Sequence, residues 1–159
     1  VKGLDRTIGV LGELNKEREI NCKWVIVGDG PERENLQVSI DECGLKNIVF
    51  LIGEKENPYP YIKKARAFLL PSYHEAAPMV YGESAALGVP IVSTDTCSAA
   101  ELVKDRNIGI VVDNNEAGIK RGLNEIIGGT VELHRINVEE INKIAESQLK
   151  NLYIELYKT

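Results

Sequence analysis

At 159 residues, with 43% hydrophobic and 27% charged content, the chain has the length and composition of one soluble globular domain. Its 19 Lys and Arg against 24 Asp and Glu leave a net charge of −5. That argues against a nucleic-acid binder, which presents a basic surface. Cys22, Cys43 and Cys97 contain no CxxC pair, and with His74 and His134 they make no zinc-type spacing, so they read as reduced thiols in a cytoplasmic setting. No apolar run reaches the length of a membrane-spanning helix.

In chain order, residues 4–16 open a helix, with Leu4, Ile8, Leu11 and Leu14 at helical spacing. Residues 23–27 form a short apolar run ending at Gly28, the first strand. A helix over 32–43 follows, with Pro31 at its entry and Gly44 at its exit. Strand patterns over 47–52, 67–70, 90–94 and 108–112 come next; the first ends at Gly53 and the second at Pro71. Between them lie a short helix over 60–64, a small-residue helix begun by Pro78, and a segment over 98–103 with the capping-box pattern Ser98-x-x-Glu101. Helices over 115–127 and 137–157 close the chain.

Every strand is short and apolar throughout, as in a parallel sheet covered on both faces. Strand–helix alternation of this kind predicts a single doubly wound, Rossmann-like α/β domain with right-handed crossovers. Such a unit normally begins with a strand. This chain begins with a helix, so the first strand is expected from residues upstream of Val1, and the start reads as cut from a longer chain.

The candidate chemistry gathers at the predicted carboxyl ends of the strands. Gly28 and Gly30 permit a tight turn and close backbone approach to a phosphate; an ordinary strand-to-helix turn explains them equally. They do not complete a dinucleotide fingerprint, because Arg33 stands where a third glycine would be needed. Gly53 and Glu54 follow the second strand in the same way. Glu75 lies in the loop after the third strand, and Glu83 about one turn inside the following helix. Pro78 has no N–H, but Met79, Val80 and Tyr81 do, and a helix starting there aims donors and a positive dipole end at an anion. A carboxylate such as Glu83 accepts two hydrogen bonds at once, which suits a diol; it would also simply complement the helix dipole. Lys2 is either a solvated lysine at a helix start or a point charge for a phosphate. Cys97 has no evident base partner.

The pattern Ser72-x-x-Glu75-x7-Glu83-Ser84-Ala85-Ala86-Leu87-Gly88-x-Pro90 resembles the carboxyl-terminal half of retaining glycosyltransferases of GT-B architecture, with family 4 of bacterial polysaccharide and glycolipid synthesis the nearest group. Lys2-Gly3, Val27-Gly28-Asp29-Gly30-Pro31 and the segment from Asn57 to Ala65 are similar to further motifs of that family, in the same order. The resemblance implies a donor domain for a nucleoside-diphosphate sugar, a UDP-sugar on family frequency, with no metal cofactor. It implies that Lys2 contacts the diphosphate, that Glu75 lies at the transferred sugar, and that Glu83 accepts from the ribose hydroxyls. The amides of Met79 and Val80 after Pro78 would meet the diphosphate or sugar, Gly28 and Gly30 would lie near the phosphates, and Gly53 and Glu54 would lie near the base. An N-terminal acceptor domain would be the missing partner, and the full enzyme could associate with the cytoplasmic membrane face.

Three departures stand out. Ala76-Ala77 replaces the family's Gly-Phe after the first glutamate, Arg66 replaces a frequent Asp, and the family's phosphate-binding arginine would lie upstream of Val1. A GT-B nucleotide-sugar epimerase and a non-catalytic binding or interaction module remain as alternative readings. His74, beside Glu75, reads as a loop residue. Tyr59 and Tyr61 are expected to pack on the sheet, with base stacking as the other option.

Overall fold

The computed structural model describes residues 2–128 together with Glu139, Asn142, Lys143 and Glu146. Helix α1 (Leu4–Glu17) buries Ile8, Val10, Leu11 and Leu14 along one face, with Asp5 in its first turn and Lys16 in its last complementing the helix dipole. Strand β1 (Trp24–Ile26) pairs in parallel with β2 (Val49–Leu51), placing Trp24 opposite Val49. Helix α2 (Arg33–Glu42) connects them. Helix α3 (Tyr59–Lys64) leads into a second sheet of β3 (Phe68–Leu70), β4 (Ile91–Thr94) and β5 (Gly109–Val112), all parallel and in that order. Helix α4 (Val80–Ala86) links β3 to β4, and α5 (Glu116–Gly128) follows β5. The result is the doubly wound α/β class that the alternation predicts, and each of the five strands falls inside its predicted segment.

Two apolar clusters hold these elements. The first joins Ile8, Leu11 and Leu14 of α1 to Ile40 of α2, to Leu45, Ile48 and Val49 leading into β2, and to Ile119 and Leu123 of α5. Burying side chains of this size contributes about 1.5–3 kcal/mol each, so α1 is the element that ties the β1–β2 half to the β3–β4–β5 half. The second cluster packs Leu70, Tyr81, Ala85, Ile91, Val103 and Ile108 between the larger sheet, α4 and the turn before β5.

Two local expectations fail. The segment with the capping-box pattern forms a π-helical turn, Ala100–Lys104, closed by the Asp105 N–H on Ala100 O at 2.9 Å. No side chain caps it, and the buried Ser98 hydroxyl has no partner among the described residues. A wider i→i+5 turn does not present the N–H that a capping serine bonds in an α-helix. Tyr59 and Tyr61 are not buried as packing residues of the sheet would be: they are 45% and 42% exposed, and Ile62 is the buried residue of this six-residue helix. The helix predicted over 137–157 lies outside the described residues save for the four named. Among the described residues no helix is long and apolar enough to cross a membrane.

Candidate functional site

In parallel sheets the strand carboxyl ends emerge on one side, and ligand sites of open α/β folds form there. After β3 the chain runs through Pro71, Ser72, Tyr73 and His74 to Glu75. The Lys2 ammonium, 73 positions earlier, donates to Glu75 Oε1 at 2.5 Å, and Ser72 Oγ donates to the same oxygen at 2.8 Å. The Glu75 side chain is only 13% exposed, whereas that of Lys2 is 60% exposed. Burial by itself would raise the Glu75 carboxyl, but the hydrogen bonds from Lys2 and Ser72 and the Lys2 charge outweigh it and hold the group below the ordinary glutamate range. Glu75 is therefore an oriented, ionised carboxylate at neutral pH.

The close approach of α1 to this loop depends on Gly3. It sits at φ +63°, and a Cβ there would lie 2.2 Å from Pro71 O. Only glycine meets both demands. Thr94, at the end of β4, donates from its buried hydroxyl to Ser72 O at 2.6 Å, so the neighbouring strand also fixes the loop. Gly3 was legible in the sequence only as half of a motif. Ser72 was legible as a motif letter without a role, and Thr94 only as the last residue of a predicted strand.

Glu83 is joined to a different element. It lies in the first turn of α4, half-buried, and accepts from the Tyr59 hydroxyl of α3 at 3.3 Å. The structure thus brings Lys2, Ser72 and Glu75 together and holds Glu83 separately, one helix turn beyond the same loop. At the start of α4, Tyr81 N–H is taken by Pro78 O at 3.2 Å, which removes Tyr81 from the three amides read as free donors. Met79 caps the helix with helical angles and is 80% exposed, and Val80 packs its side chain against the second cluster.

At the ends of β1 and β2, Gly28 N–H donates to Gly53 O at 2.9 Å in an isolated antiparallel bridge, with φ +129° and +71° at the two glycines. Gly30 N–H is taken by Asp29 Oδ1 at 2.8 Å, and Gly30 O accepts from Arg33 N–H at 3.1 Å. Gly30 is thus spent on the turn itself. Arg33 reaches back to Leu51 O at 3.0 Å, and Glu54 is exposed beyond the bridge. The position that departs from a dinucleotide fingerprint is in this way a clasp between α2 and β2.

Among known proteins, the chain is 36% identical over 109 residues to an N-acetylgalactosaminyltransferase of Campylobacter jejuni that acts on N-acetylgalactosamine-N,N'-diacetylbacillosaminyl-diphospho-undecaprenol; the match covers 67% of this chain and 30% of that protein. It is 28% identical over 126 residues to the lipopolysaccharide glucosyltransferase WaaG of Escherichia coli, covering 79% of this chain and 33% of that one. The chain thus spans well under half the length of these relatives. Among solved structures, it superposes on Anabaena HepE, determined in complex with UDP, with a TM-score of 0.70 at 21% identity, over 94% of this chain and 45% of HepE. The fold is that of the carboxyl-terminal half of a GT-B glycosyltransferase. The family model for glycosyl transferases group 1 matches residues 1–143, and the chain belongs to that family.

Proposed function

We propose that this chain is the donor-binding domain of a retaining, family 4 glycosyltransferase that uses a UDP-sugar to extend a glycan or lipid-linked acceptor. The observation that carries this reading is the Lys2–Glu75–Ser72 cluster, assembled from distant parts of the chain at the carboxyl end of β3. In the transfer, the bond from the anomeric carbon to the diphosphate oxygen breaks and a bond to the acceptor oxygen forms. The UDP leaves with the electron pair, and the acceptor hydroxyl's proton passes to the departing diphosphate oxygen. Negative charge grows on the departing diphosphate while positive charge grows at the sugar.

The two charges of the ion pair suit those two needs. The exposed Lys2 ammonium serves the diphosphate, together with the amides of Met79 and Val80 after Pro78 and an arginine from an upstream segment. The shielded Glu75 carboxylate serves the sugar hydroxyls and the developing cation. Glu83 takes the ribose diol, and the Gly28–Gly53 bridge with Gly30 and Glu54 borders the phosphates and base. This assignment needs no metal. The sheet order is compatible with the two-domain reading: among the described residues the β1–β2 pair and the β3–β4–β5 sheet are separate, and a further strand between β1 and β3 would join them.

Calorimetry with UDP, ADP and GDP on the wild type and on Glu83→Ala tests the donor assignment. Micromolar to millimolar UDP binding that Glu83→Ala weakens by about ten- to a hundredfold is expected, since removing a charged hydrogen-bond acceptor costs about 1.5–3 kcal/mol. Absence of binding to all three nucleotides would leave an interaction module as the better description.

A further inference from the structure

Arg6, one turn beyond Lys2 on α1, has no role in the site as described so far, yet it gathers three separate segments. Its guanidinium donates to Pro71 O at 2.8 Å and to Asn114 Oδ1 at 2.6 Å, with longer bonds to Ser72 O at 3.4 Å and Asn114 O at 3.5 Å. The centre of the group lies 3.8 Å from the centroid of the Tyr73 ring. Asn114, just after β5, then donates its amide to Tyr73 O at 2.9 Å and to Asp95 O at 3.1 Å. Together with Thr94 on Ser72 O, side chains from three other segments fix the three consecutive carbonyls of Pro71, Ser72 and Tyr73.

Loop carbonyls have no ladder to satisfy them, so each needs its own donor. A planar fork that also stacks on an aromatic ring provides two such donors with a fixed direction, which a lysine cannot do. The bonds converge on the residues immediately before Glu75. If they served only to attach α1 to the sheet, the buried faces of Ile8, Leu11 and Leu14 would already do so.

We propose that Arg6 and Asn114 are positioning residues for the sugar end of the site: they lock the 71–75 loop so that Glu75 is presented to Lys2 and Ser72 and to the donor sugar. This rests on the donor-domain reading for the word sugar, and on the hydrogen bonds alone for the lock.

The test uses the 159-residue chain with Arg6→Lys, which keeps charge and helix, and Asn114→Ala, which leaves Arg6 in place. The Glu75 carboxyl is followed by carbon-13 NMR through a pH titration, and binding of UDP and of UDP-glucose is measured by calorimetry. In both variants the Glu75 titration moves up towards the ordinary glutamate range. UDP-glucose affinity falls about tenfold while UDP affinity changes less than about twofold, because the charged hydrogen bonds that are removed act on the sugar end alone. An unchanged Glu75 titration in both variants, or equal losses for UDP and UDP-glucose, overturns the proposal and makes Arg6 a structural staple. If the wild type binds neither ligand, the donor reading fails, and the Glu75 titration by itself still decides whether the lock exists.

Discussion

The two halves of the domain present their strand ends in different ways. Beyond β3, β4 and β5 the backbone is held by side chains: Arg6, Thr94 and Asn114 on three carbonyls, and Lys2 and Ser72 on Glu75. Beyond β1 and β2 it is held by the backbone bridge Gly28 to Gly53, by the Asp29 carboxylate on its neighbour's N–H, and by Arg33 on Leu51 O. The first arrangement fixes a carboxylate in place before any ligand arrives. The second fixes a turn and leaves Asp29, Gly30 and Glu54 exposed around it. Preorganisation matters most where charge develops during a reaction and least where a ligand is only held. The contrast is therefore the one expected if, as proposed, Glu75 is the reacting end and the Gly28–Gly53 turn a binding end.

The largest way to break the contrast is Gly3→Val. A side chain there meets both a left-handed backbone and the Pro71 carbonyl at 2.2 Å. The expected loss is about 2–5 kcal/mol, the sum of the left-handed cost and of overpacking. It should appear as a lower urea midpoint, with α1 displaced from the loop and Lys2 drawn out of reach of Glu75. Gly53→Ala is the matched experiment on the other half. The backbone is again left-handed, but an added Cβ meets only Arg33 Nη1 at an ordinary 3.8 Å. The expected loss is about 1–2 kcal/mol, from the backbone alone. Equal losses for the two substitutions would show that the two halves are held alike.

Much of this fold was legible beforehand, for a physical reason. The run Ile91-Val92 is apolar without alternation, and a strand covered on both faces has that pattern, whereas the equally apolar β1 leaves Val25 41% exposed. Lys2 and Glu75 both stood out in the sequence, but their mutual hydrogen bond did not, since each was read towards a ligand. Arg6 and Asn114 carried no signal at all. Their partners are backbone carbonyls and an amide 19 to 108 positions away, and no local spacing encodes such a pair. Ser98 misled because a capping box is a local pattern, whereas the turn that forms there is π-helical and buries Val103 in the second cluster.

A smaller effect comes from pH. The folded Glu75 is held below its ordinary value, so its stabilising contribution is fully present above the ordinary glutamate range and is lost as pH falls through that range to the folded value. With the Lys2 side chain 60% exposed, the pair is worth at most about 1 kcal/mol. Glu75→Gln should therefore be slightly less stable than the wild type at pH 7, and the gap should close as pH falls below the ordinary glutamate range. A gap that persists unchanged at that acidity would mean that the ionised form of Glu75 is not what the loop stabilises.

The smallest effect sharpens the boundary between the two halves. Tyr59 stands on α3, between the β2 end and α4, and its hydroxyl meets Glu83 at 3.3 Å from an exposed position. A long, solvated hydrogen bond of this kind contributes little, so Tyr59→Phe should leave stability within about 0.5 kcal/mol. Its value lies in the ligand response. If Glu83 receives the ribose diol, the tyrosine competes for one carboxylate oxygen in the free protein, and its removal leaves UDP affinity unchanged or slightly raised. A marked fall in UDP affinity would instead make Tyr59 part of the surface that grips the nucleotide. The binding end would then rely on side chains after all, and the distinction between a locked reacting end and a lightly held binding end would lose its basis.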